Sequence, residues 1–319
     1  MTLPFADGSI SIRLYGHAAD VDGILEALLS QARRAESAGF DGITVSEHHG
    51  GFAGYLPNPL QMAGWLLYEC KTVWSAPAPL LLPLRPAGLV AEEAAWLAAR
   101  FPGRVGIGVA AGSLEQDFAI AEAALDDTLG RRFGIGLATL SAAFNGRAEG
   151  PLAADPAIAA LTPGSVPLVA AAMSRPAVRR VAACGAGLLS DSLSTRQRLR
   201  QLIDWYGEEG GTGPRVVTRW VWVGNPDPSR IAAESTRYTA YTPADRQQNF
   251  AEDFDTISGE PEEVADQLLQ VVEETGGTAL NLRVHTIGAP ASEVLDQIEV
   301  IGEQVLPAVR GAWPSAPTL

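Results

Sequence analysis

The Glu47-His48-His49 sequence has the residue types best suited to chemistry in this chain. An imidazole titrates near neutral pH and can pass protons, and a neighbouring carboxylate can fix its tautomer. The three residues follow a short β-branched run at 42–46, so we expect them at the end of a strand. They are the candidate catalytic residues. The alternative is one structural histidine beside one exposed histidine.

A metal site at this sequence is not expected. Two adjacent residues on a strand point in opposite directions, so His48 and His49 would not converge on one ion. The rest of the sequence offers no Cys, His or Asp spacing that completes a ligand set.

Two other predicted strand ends have residues suited to a cofactor. Ala111-Gly112-Ser113 combines small residues with a hydroxyl, which lets a planar ring or a phosphate approach the backbone. Met173-Ser174-Arg175 precedes a predicted helix and places a hydroxyl, a guanidinium and free amides where a phosphate could bind. The alternative for this second segment is an ordinary capped helix with a solvated arginine.

The histidines are concentrated at predicted strand ends. His17, His48 and His285 each follow a strand, and His49 is adjacent to one of them. In a parallel barrel the carboxyl ends of the strands meet at one mouth, where the active sites of such folds lie.

Glycines at 106, 108 and 112 raise a different possibility, an open dinucleotide-binding sheet. The first two lie partly within a predicted strand, and no acidic residue at a strand end follows at the distance that a ribose contact requires. A hydrolase is also disfavoured, because no segment resembles a nucleophile elbow.

The elements that must position these residues alternate along the chain as strand and helix, which is typical of a parallel sheet. Strands are predicted at 10–14, 42–46, 72–82, 104–109, 167–171, 187–190, 215–223 and 279–284. Helices are predicted at 22–38, 58–68, 90–100, 118–144, 176–184, 195–205, 261–274 and 292–309. Eight such units favour an α/β fold, a single (β/α)8 TIM barrel domain over residues 1–319.

Two long connections interrupt this alternation and predict insertions after strands four and seven. An Ala- and Pro-rich stretch extends to about residue 165, and residues 229–257 are polar, aromatic and poorly periodic. The second connection is a candidate lid. Tyr55, Trp220, Trp222 and the 238–250 segment indicate an apolar or aromatic pocket.

Composition excludes several classes of function. The 37 acidic and 23 basic residues give a net charge of -14, so nucleic acid and anionic membrane surfaces are not expected partners. No segment reaches the roughly 18 uninterrupted apolar residues of a spanning helix, and the N-terminus lacks a signal-peptide pattern, so we expect a cytoplasmic protein. Cys70 and Cys184 are expected to be buried structural thiols.

Several segments in sequence order resemble one known family, the bacterial-luciferase-like flavin monooxygenases and their deazaflavin-dependent relatives. Residues 38–49 (AGFDGITVSEHH) are similar to that family's helix-to-strand-two signature, and 57–60 (PNPL) to the segment after it. Residues 82–86 (LPLRP), 91–94 (AEEA) and 103–109 (GRVGIGV) resemble the region of strands three and four. Residues 259–267 (GEPEEVADQ) resemble a late helix.

The resemblance implies that reduced FMN binds across the barrel mouth and that one oxygen atom from O2 enters a small organic substrate. It also implies a separate flavin reductase and a homodimer formed through outer helices, for which Trp65, Leu66, Leu67 and Trp96 are candidates. His48 takes the position of the family's active-site histidine. Ala78-Pro79 takes the position of a cis peptide beneath the flavin ring, and we predict that this bond is cis.

Two departures from the family pattern concern the cofactor. Ala111 stands where luciferases have an arginine for the FMN phosphate, and Ala171-Ala172 replaces a Glu-Ser pair. Ser113, Ser174 and Arg175 could take over the phosphate. These departures leave two alternatives: a deazaflavin (coenzyme F420)-dependent hydride-transfer enzyme, and a non-catalytic binding protein of the same fold.

Overall fold

The strands form a parallel barrel in the computed structural model, which describes residues 2–16, 20–52, 54–241, 247 and 250–313. The strands are β1 (Ile10–Arg13), β2 (Gly42–Val45), β3 (Trp74–Pro77), β4 (Leu80–Leu81), β5 (Ile107–Ala110), β6 (Leu168–Ala171), β7 (Gly187–Leu189), β8 (Arg215–Val223), β9 (Ile257–Gly259) and β10 (Ala279–Arg283). Their order around the sheet is β3-β2-β1-β10-β8-β7-β6-β5-β4, and β9 pairs with β8.

Backbone hydrogen bonds at Ser75 bring the two ends of the sheet together. The Ser75 N–H donates to Arg104 O at 2.9 Å, and the Gly106 N–H donates to Ser75 O at 3.2 Å. Since β3 and β4 together occupy the predicted third strand, eight positions surround the barrel, as the sequence predicts. The predicted α/β class and (β/α)8 barrel are confirmed.

Helices follow the strands and pack against them. They are α1 (Val21–Ser37), α2 (Pro59–Glu69), α3 (Ala87–Arg100), α4 (Glu115–Ile120), α5 (Leu129–Phe144), α6 (Pro156–Ala159), α7 (Arg175–Ala183), α8 (Arg196–Glu208), α9 (Pro228–Tyr241), α10 (Pro261–Thr275), α11 (Ala291–Val300) and α12 (Leu306–Ala312). The boundaries follow local chemistry. Asn58 caps α2 by accepting from the Gln61 N–H, and the left-handed Gly276 ends α10.

Side chains alternate between the two faces of each strand, which fixes what points into the barrel. On β1, Ile10 and Ile12 belong to the core that includes the helices. Ser11 lies on the opposite face, where its hydroxyl donates to Asn281 Oδ1 at 3.3 Å. Thr44 donates to the same oxygen at 3.0 Å, so side chains from β2, β1 and β10 meet in the interior.

The helix predicted at 118–144 is wrong in its extent. The chain forms the short α4 and then α5, with residues 121–128 between them. Glu122 has a φ of 51°, and Asp126 accepts from the Thr128 backbone and hydroxyl. This local turn competes with helix continuation, as short polar side chains do.

The insertion predicted at 229–257, where the sequence is poorly periodic, contains a helix. Residues 228–241 form α9, and residues 242–246 and 248–249 lie outside the described part of the chain. The final helix predicted at 292–309 contains a π-helical turn at Ile301–Val305 between α11 and α12. Position 302 in this turn suits glycine, because a Cβ there would lie 2.3 Å from Ala38 O.

The glycines near β5 serve packing. A Cβ on Gly106 would lie 2.7 Å from Pro4 Cβ, and one on Gly108 would lie 2.9 Å from Pro77 O. These residues therefore let the N-terminal segment and β3 approach the strand. A closed barrel excludes the open dinucleotide-binding sheet that these glycines raised as a possibility.

Among the described residues, no helix is both long and apolar enough to cross a bilayer. Cys70 is buried, and burial raises the pKa of its thiol to about 12. Cys184 is only partly buried, which corrects the expectation of two buried thiols; neither forms a disulfide.

Candidate active site

His48 pairs with a buried carboxylate at the end of β2. Its Nδ1 lies 2.7 Å from Asp117 Oδ2, and the Asp117 side chain has no solvent exposure. The other oxygen, Asp117 Oδ1, accepts from the His49 backbone N–H at 2.7 Å. Asp117 lies in the short helix α4, which ends at Ile120 before the turn at 121–128. This helix brings the carboxylate to the histidine.

The pairing fixes the role of each ring nitrogen. Asp117 Oδ1 accepts from the His49 N–H, and a carboxylate oxygen opposite Nδ1 favours the tautomer in which Nδ1 is the donor. Nε2 is then the atom of His48 that can take up a proton. The ring packs against Phe52 and Tyr55, with centroids at 4.7 and 4.6 Å, and 18% of the side chain stays exposed.

Glu47 has different contacts. Its Oε1 lies 2.9 Å from His49 Nε2 and accepts from Arg85 Nη2 at 3.1 Å. Its Oε2 accepts from the Leu81 N–H at 2.6 Å, and the Glu47 N–H donates to Pro79 O at 3.0 Å. Glu47 therefore joins the end of β2 to the β3–β4 connection, and the carboxylate at His48 is Asp117 instead.

The Ala78-Pro79 peptide is cis, as predicted. Ala78 is buried and lies next to the point where β3 passes into β4. Small residues follow the neighbouring strands: Ala111 and Gly112 after β5, and Ala172 after β6. This side of the mouth is therefore lined by short side chains.

The predicted phosphate-binding residues lie on the surface. Ser113, Met173, Ser174 and Arg175 are all exposed. Arg175 donates to Glu208 Oε2 at 2.8 Å and to Glu209 Oε1 at 3.2 Å, so a phosphate there would compete with two carboxylates. Ser174 lies at the N-cap of α7, where its side chain makes no capping hydrogen bond. The phosphate role of these residues stays a prediction.

Arg13 and Arg283 lie on the opposite side of the mouth. The register of β1 and β10 pairs Ile12 with Leu282, so the two arginines are neighbours at the next position. Arg283 Nη1 donates to Ser192 Oγ at 3.1 Å. Its guanidinium carbon lies 3.7 Å from the Trp220 ring centroid. Arg13 is 6% exposed and Arg283 is 1% exposed, so both cations are buried.

Aromatic residues cover this arginine pair. Tyr55 and Tyr238 join hydroxyl to hydroxyl at 2.6 Å, linking the loop after β2 to α9. Tyr15 lies with its ring centroid 4.5 Å from the Arg283 guanidinium and 5.4 Å from the Tyr55 ring. Of the residues that the sequence indicates for an aromatic pocket, Tyr55, Trp220 and Tyr238 meet around Arg283.

The arginines affect the acidity of Tyr55. Burial alone would raise the pKa of its phenol, but Arg283 and Arg13, with the hydrogen bond to its neighbour, lower that pKa overall. Tyr15 has the opposite shift, because burial raises its pKa more than Arg283 lowers it. The effect of the arginines on the pKa therefore exceeds that of burial at Tyr55 and falls short of it at Tyr15.

Glu234 of α9 is the buried carboxylate in this region. It accepts from the Ile287 N–H at 3.1 Å and lies 3.1 Å from Arg237 Nη2. Burial raises the pKa of Glu234, against the lowering effect of Arg283 and Arg237. Elsewhere, His285 is buried at the end of β10 and lies near Tyr15, while His17 lies outside the described residues.

Three residues of the site were not singled out from the sequence: Asp117, Arg13 and Arg283. Asp117 lies in a segment predicted as loop leading into a helix, with no pattern that connects it to His48. The sequence does contain a pattern from which the two arginines could have been identified. Each ends a strand, and each occupies an alternating position that points into the barrel, where an unpaired charge is unusual.

In the described part of the chain, no three His, Cys, Asp or Glu side chains are grouped as metal ligands. The mouth thus combines a histidine paired with a buried carboxylate, small residues beside a cis peptide, and buried cations under aromatic rings.

Sequence comparison identifies the family. Residues 12–279 match the luciferase-like monooxygenase family, so the chain belongs to that family, and the resemblance inferred above is confirmed. Among curated proteins, none has a significant sequence match to this chain.

Solved structures with the same fold include monooxygenases and a deazaflavin-dependent enzyme. Monooxygenase RslO1 from Streptomyces bottropensis is 18% identical with a TM-score of 0.75, covering 94% of this chain and 99% of that one. The oxygenating constituent of 3,6-diketocamphane monooxygenase from Pseudomonas putida, in complex with FMN, is 18% identical with a TM-score of 0.74, covering 94% and 98%. An F420-dependent secondary alcohol dehydrogenase is 20% identical with a TM-score of 0.73, covering 94% and 98%.

Proposed function

We propose that this protein is an FMN-dependent monooxygenase that uses reduced flavin and O2 to oxygenate a small organic substrate. The observation that carries the proposal is the His48–Asp117 pair at the barrel mouth, which can hold and transfer a proton. Membership of the luciferase-like monooxygenase family supports the reaction class, and the FMN complex of a structural neighbour supports the cofactor.

Small residues at the mouth support a flavin ring as the ligand: Ala78, Ala111 and Gly112 would lie beside it, and Ser113, Ser174 and Arg175 are the candidates for the phosphate. When bound, reduced FMN supplies two electrons to dioxygen, so that one oxygen atom enters the substrate and the other leaves as water.

The protein's own residues have separate roles in this proposal. His48 Nε2 takes up or returns the proton that the oxygen transfer requires, while Asp117 holds Nδ1 and stabilises the charged ring. Glu47 and His49 position the β3–β4 connection through their hydrogen bonds, which makes them positioning residues. The Tyr55–Tyr238 contact covers the mouth and limits the access of water.

A deazaflavin-dependent hydride transfer is the second candidate. Ala111 in place of an arginine favours it, because the family's usual cation for the FMN phosphate is missing. The F420-dependent neighbour supports the same reading. In that reaction His48 would take the hydroxyl proton of an alcohol as the hydride leaves its carbon.

The proposal includes the partners, location and assembly that the sequence analysis predicts. A separate reductase would supply the reduced flavin, and the enzyme would act in the cytoplasm as a homodimer. Trp65 and Trp96 are exposed on α2 and α3 and remain candidates for the dimer surface. Leu66 and Leu67 are buried in the core, which corrects their assignment to that surface.

The test is an anaerobic titration of the purified protein with reduced FMN and, separately, with reduced F420, followed by addition of oxygen. We expect reduced FMN to bind and then to consume oxygen with product formation. His48→Ala should bind FMN as the wild type does and lose turnover. Binding of F420 without oxygen uptake would establish the second candidate, and binding of neither would overturn both.

A further inference from the structure

Among the described residues, the arginine side of the mouth contains two buried cations and one carboxylate that acts on them. Arg13 and Arg283 contribute the cations, and Glu234 is the carboxylate that interacts with Arg283. The balance among these three side chains is therefore +1 with Glu234 ionised, and protonation of Glu234 would make it more positive. Buried charge of one sign is costly unless an opposite charge accompanies it.

Hydrogen-bond donors on the two inward arginines are also unused. Within the described part of the chain, Arg283 Nε and Nη2 and Arg13 Nε are buried without a hydrogen-bond partner. Buried donors normally have partners, and a guanidinium edge with two parallel N–H groups matches a carboxylate. The geometry of Arg283 therefore suits an acceptor of that kind.

The rings around Arg283 indicate what is attached to this acceptor. Trp220 lies 3.7 Å and Tyr15 lies 4.5 Å from the guanidinium, measured to each ring centroid. Tyr238 covers it from α9 at 5.3 Å. An apolar or aromatic body would pack against these rings while its charged end reaches the arginines.

We propose that Arg13 and Arg283 bind the carboxylate of a small organic acid, which is the substrate. This proposal rests on the proposed function, since it places the anion in the site where His48 acts. Tyr55 connects the His48 side of the mouth to the arginine side. Its ring centroid lies 4.6 Å from that of His48, and its hydroxyl is hydrogen-bonded to that of Tyr238, which covers the arginines. Entry of the acid requires the Tyr55–Tyr238 hydrogen bond to part.

A second buried arginine provides a matched control. Arg219 lies on β8, adjacent in register to Leu282, and therefore on the face directed away from the interior. It donates to the Thr218 and Ser194 carbonyls, and its Nε lies 3.4 Å from Asp255 Oδ2. Arg219→Lys thus changes a buried arginine of equal burial without altering the proposed binding site.

The test measures binding to the full chain without cofactor by calorimetry. The probes are benzoate, phenylacetate and cyclohexanecarboxylate, each paired with its uncharged amide. We expect at least one acid to bind about ten-fold or more tightly than its amide, as a charge-assisted hydrogen bond predicts. Arg283→Lys and Arg13→Gln should remove most of this preference, whereas Arg219→Lys should keep it. Equal binding of acids and amides by the wild type, or no binding of any acid, would overturn the proposal without any variant.

Two further arms separate this site from the cofactor. Inorganic phosphate and reduced FMN are each added in competition with the acid that binds. If either one displaces it, the arginines belong to a phosphate or cofactor site and the proposal is wrong. If reduced FMN binds but no acid does, the proposed function stands and the substrate class fails. If an acid binds but reduced FMN does not, the anion site stands and the proposed function fails.

Discussion

The two sides of the barrel mouth differ in how completely their charges are paired. On the β2 side, Asp117 serves His48 and the His49 backbone, and Glu47 serves His49, Arg85 and Leu81. On the β1–β10 side, the two arginines retain donors that have no partner within the described part of the chain. In the proposals above, the paired groups act on a proton and the donors without a partner bind a ligand.

The largest effect should follow from breaking the paired side at Asp117. Asp117→Asn keeps the shape but weakens the support for a charged His48, so we expect turnover to fall by about 10²–10⁴-fold. Reduced-flavin affinity should stay within about three-fold, because Asp117 is not among the cofactor candidates. Steady-state turnover and anaerobic titration measure the two quantities. Asp127→Asn, at an exposed aspartate, is the control, and an equal loss in both variants would contradict the role of the pair.

Removing the Glu47 charge should affect stability as well as activity. Glu47→Gln replaces one of two acceptor oxygens, which leaves the Leu81 N–H or the Arg85 guanidinium without its partner. We expect a loss of about 1–3 kcal/mol in the free energy of unfolding, measured by urea denaturation. Glu93→Gln changes an exposed carboxylate 3.9 Å from the same arginine and should cost less than about 0.5 kcal/mol. A neutral Glu47→Gln would show that the buried network contributes little.

The pH dependence of the free energy of unfolding tests the arginine side of the mouth through Glu234. Its folded-state pKa lies above the ordinary value because of burial, so the folded protein binds its proton more tightly than the unfolded chain does. This contribution is fully present below the unfolded glutamate pKa and is lost as the pH rises through the folded pKa. Glu234→Gln should therefore flatten the decline in stability over that interval. Urea unfolding at a series of pH values measures it, and an unchanged profile would contradict the raised pKa.

The smallest effect concerns Tyr55. Because its pKa is lowered mainly by Arg283 and Arg13 against the effect of burial, Tyr55 should ionise before the buried Tyr206, whose pKa burial raises. The tyrosinate absorbance should show an early step that Tyr55→Phe removes. Binding of an organic acid at the arginines should shift this step to higher pH. Persistence of the early step in Tyr55→Phe would assign it to another tyrosine.

Local patterns in the sequence predicted a large part of the fold and one half of the site. Strand periodicity predicted β8 with its observed ends at 215 and 223, and the short segment around His48 placed that residue at a strand end. The cis bond was predicted from the family resemblance, which places a cis peptide at Ala78-Pro79, and the proline makes it easier to form. The two long connections were harder, because α9 has polar and aromatic residues whose helical pattern is weak, and α4 is only six residues long.

By itself, the sequence determined the repeating strand and helix units, the barrel that they form, and His48 as the residue suited to proton transfer. These depend on periodicity and residue type over short stretches. The tertiary structure decided which carboxylate serves that histidine, because Asp117 is 69 residues away along the chain. It also decided that Arg13 and Arg283 are neighbours, since pairing of the first barrel strand with the last is a property of closure.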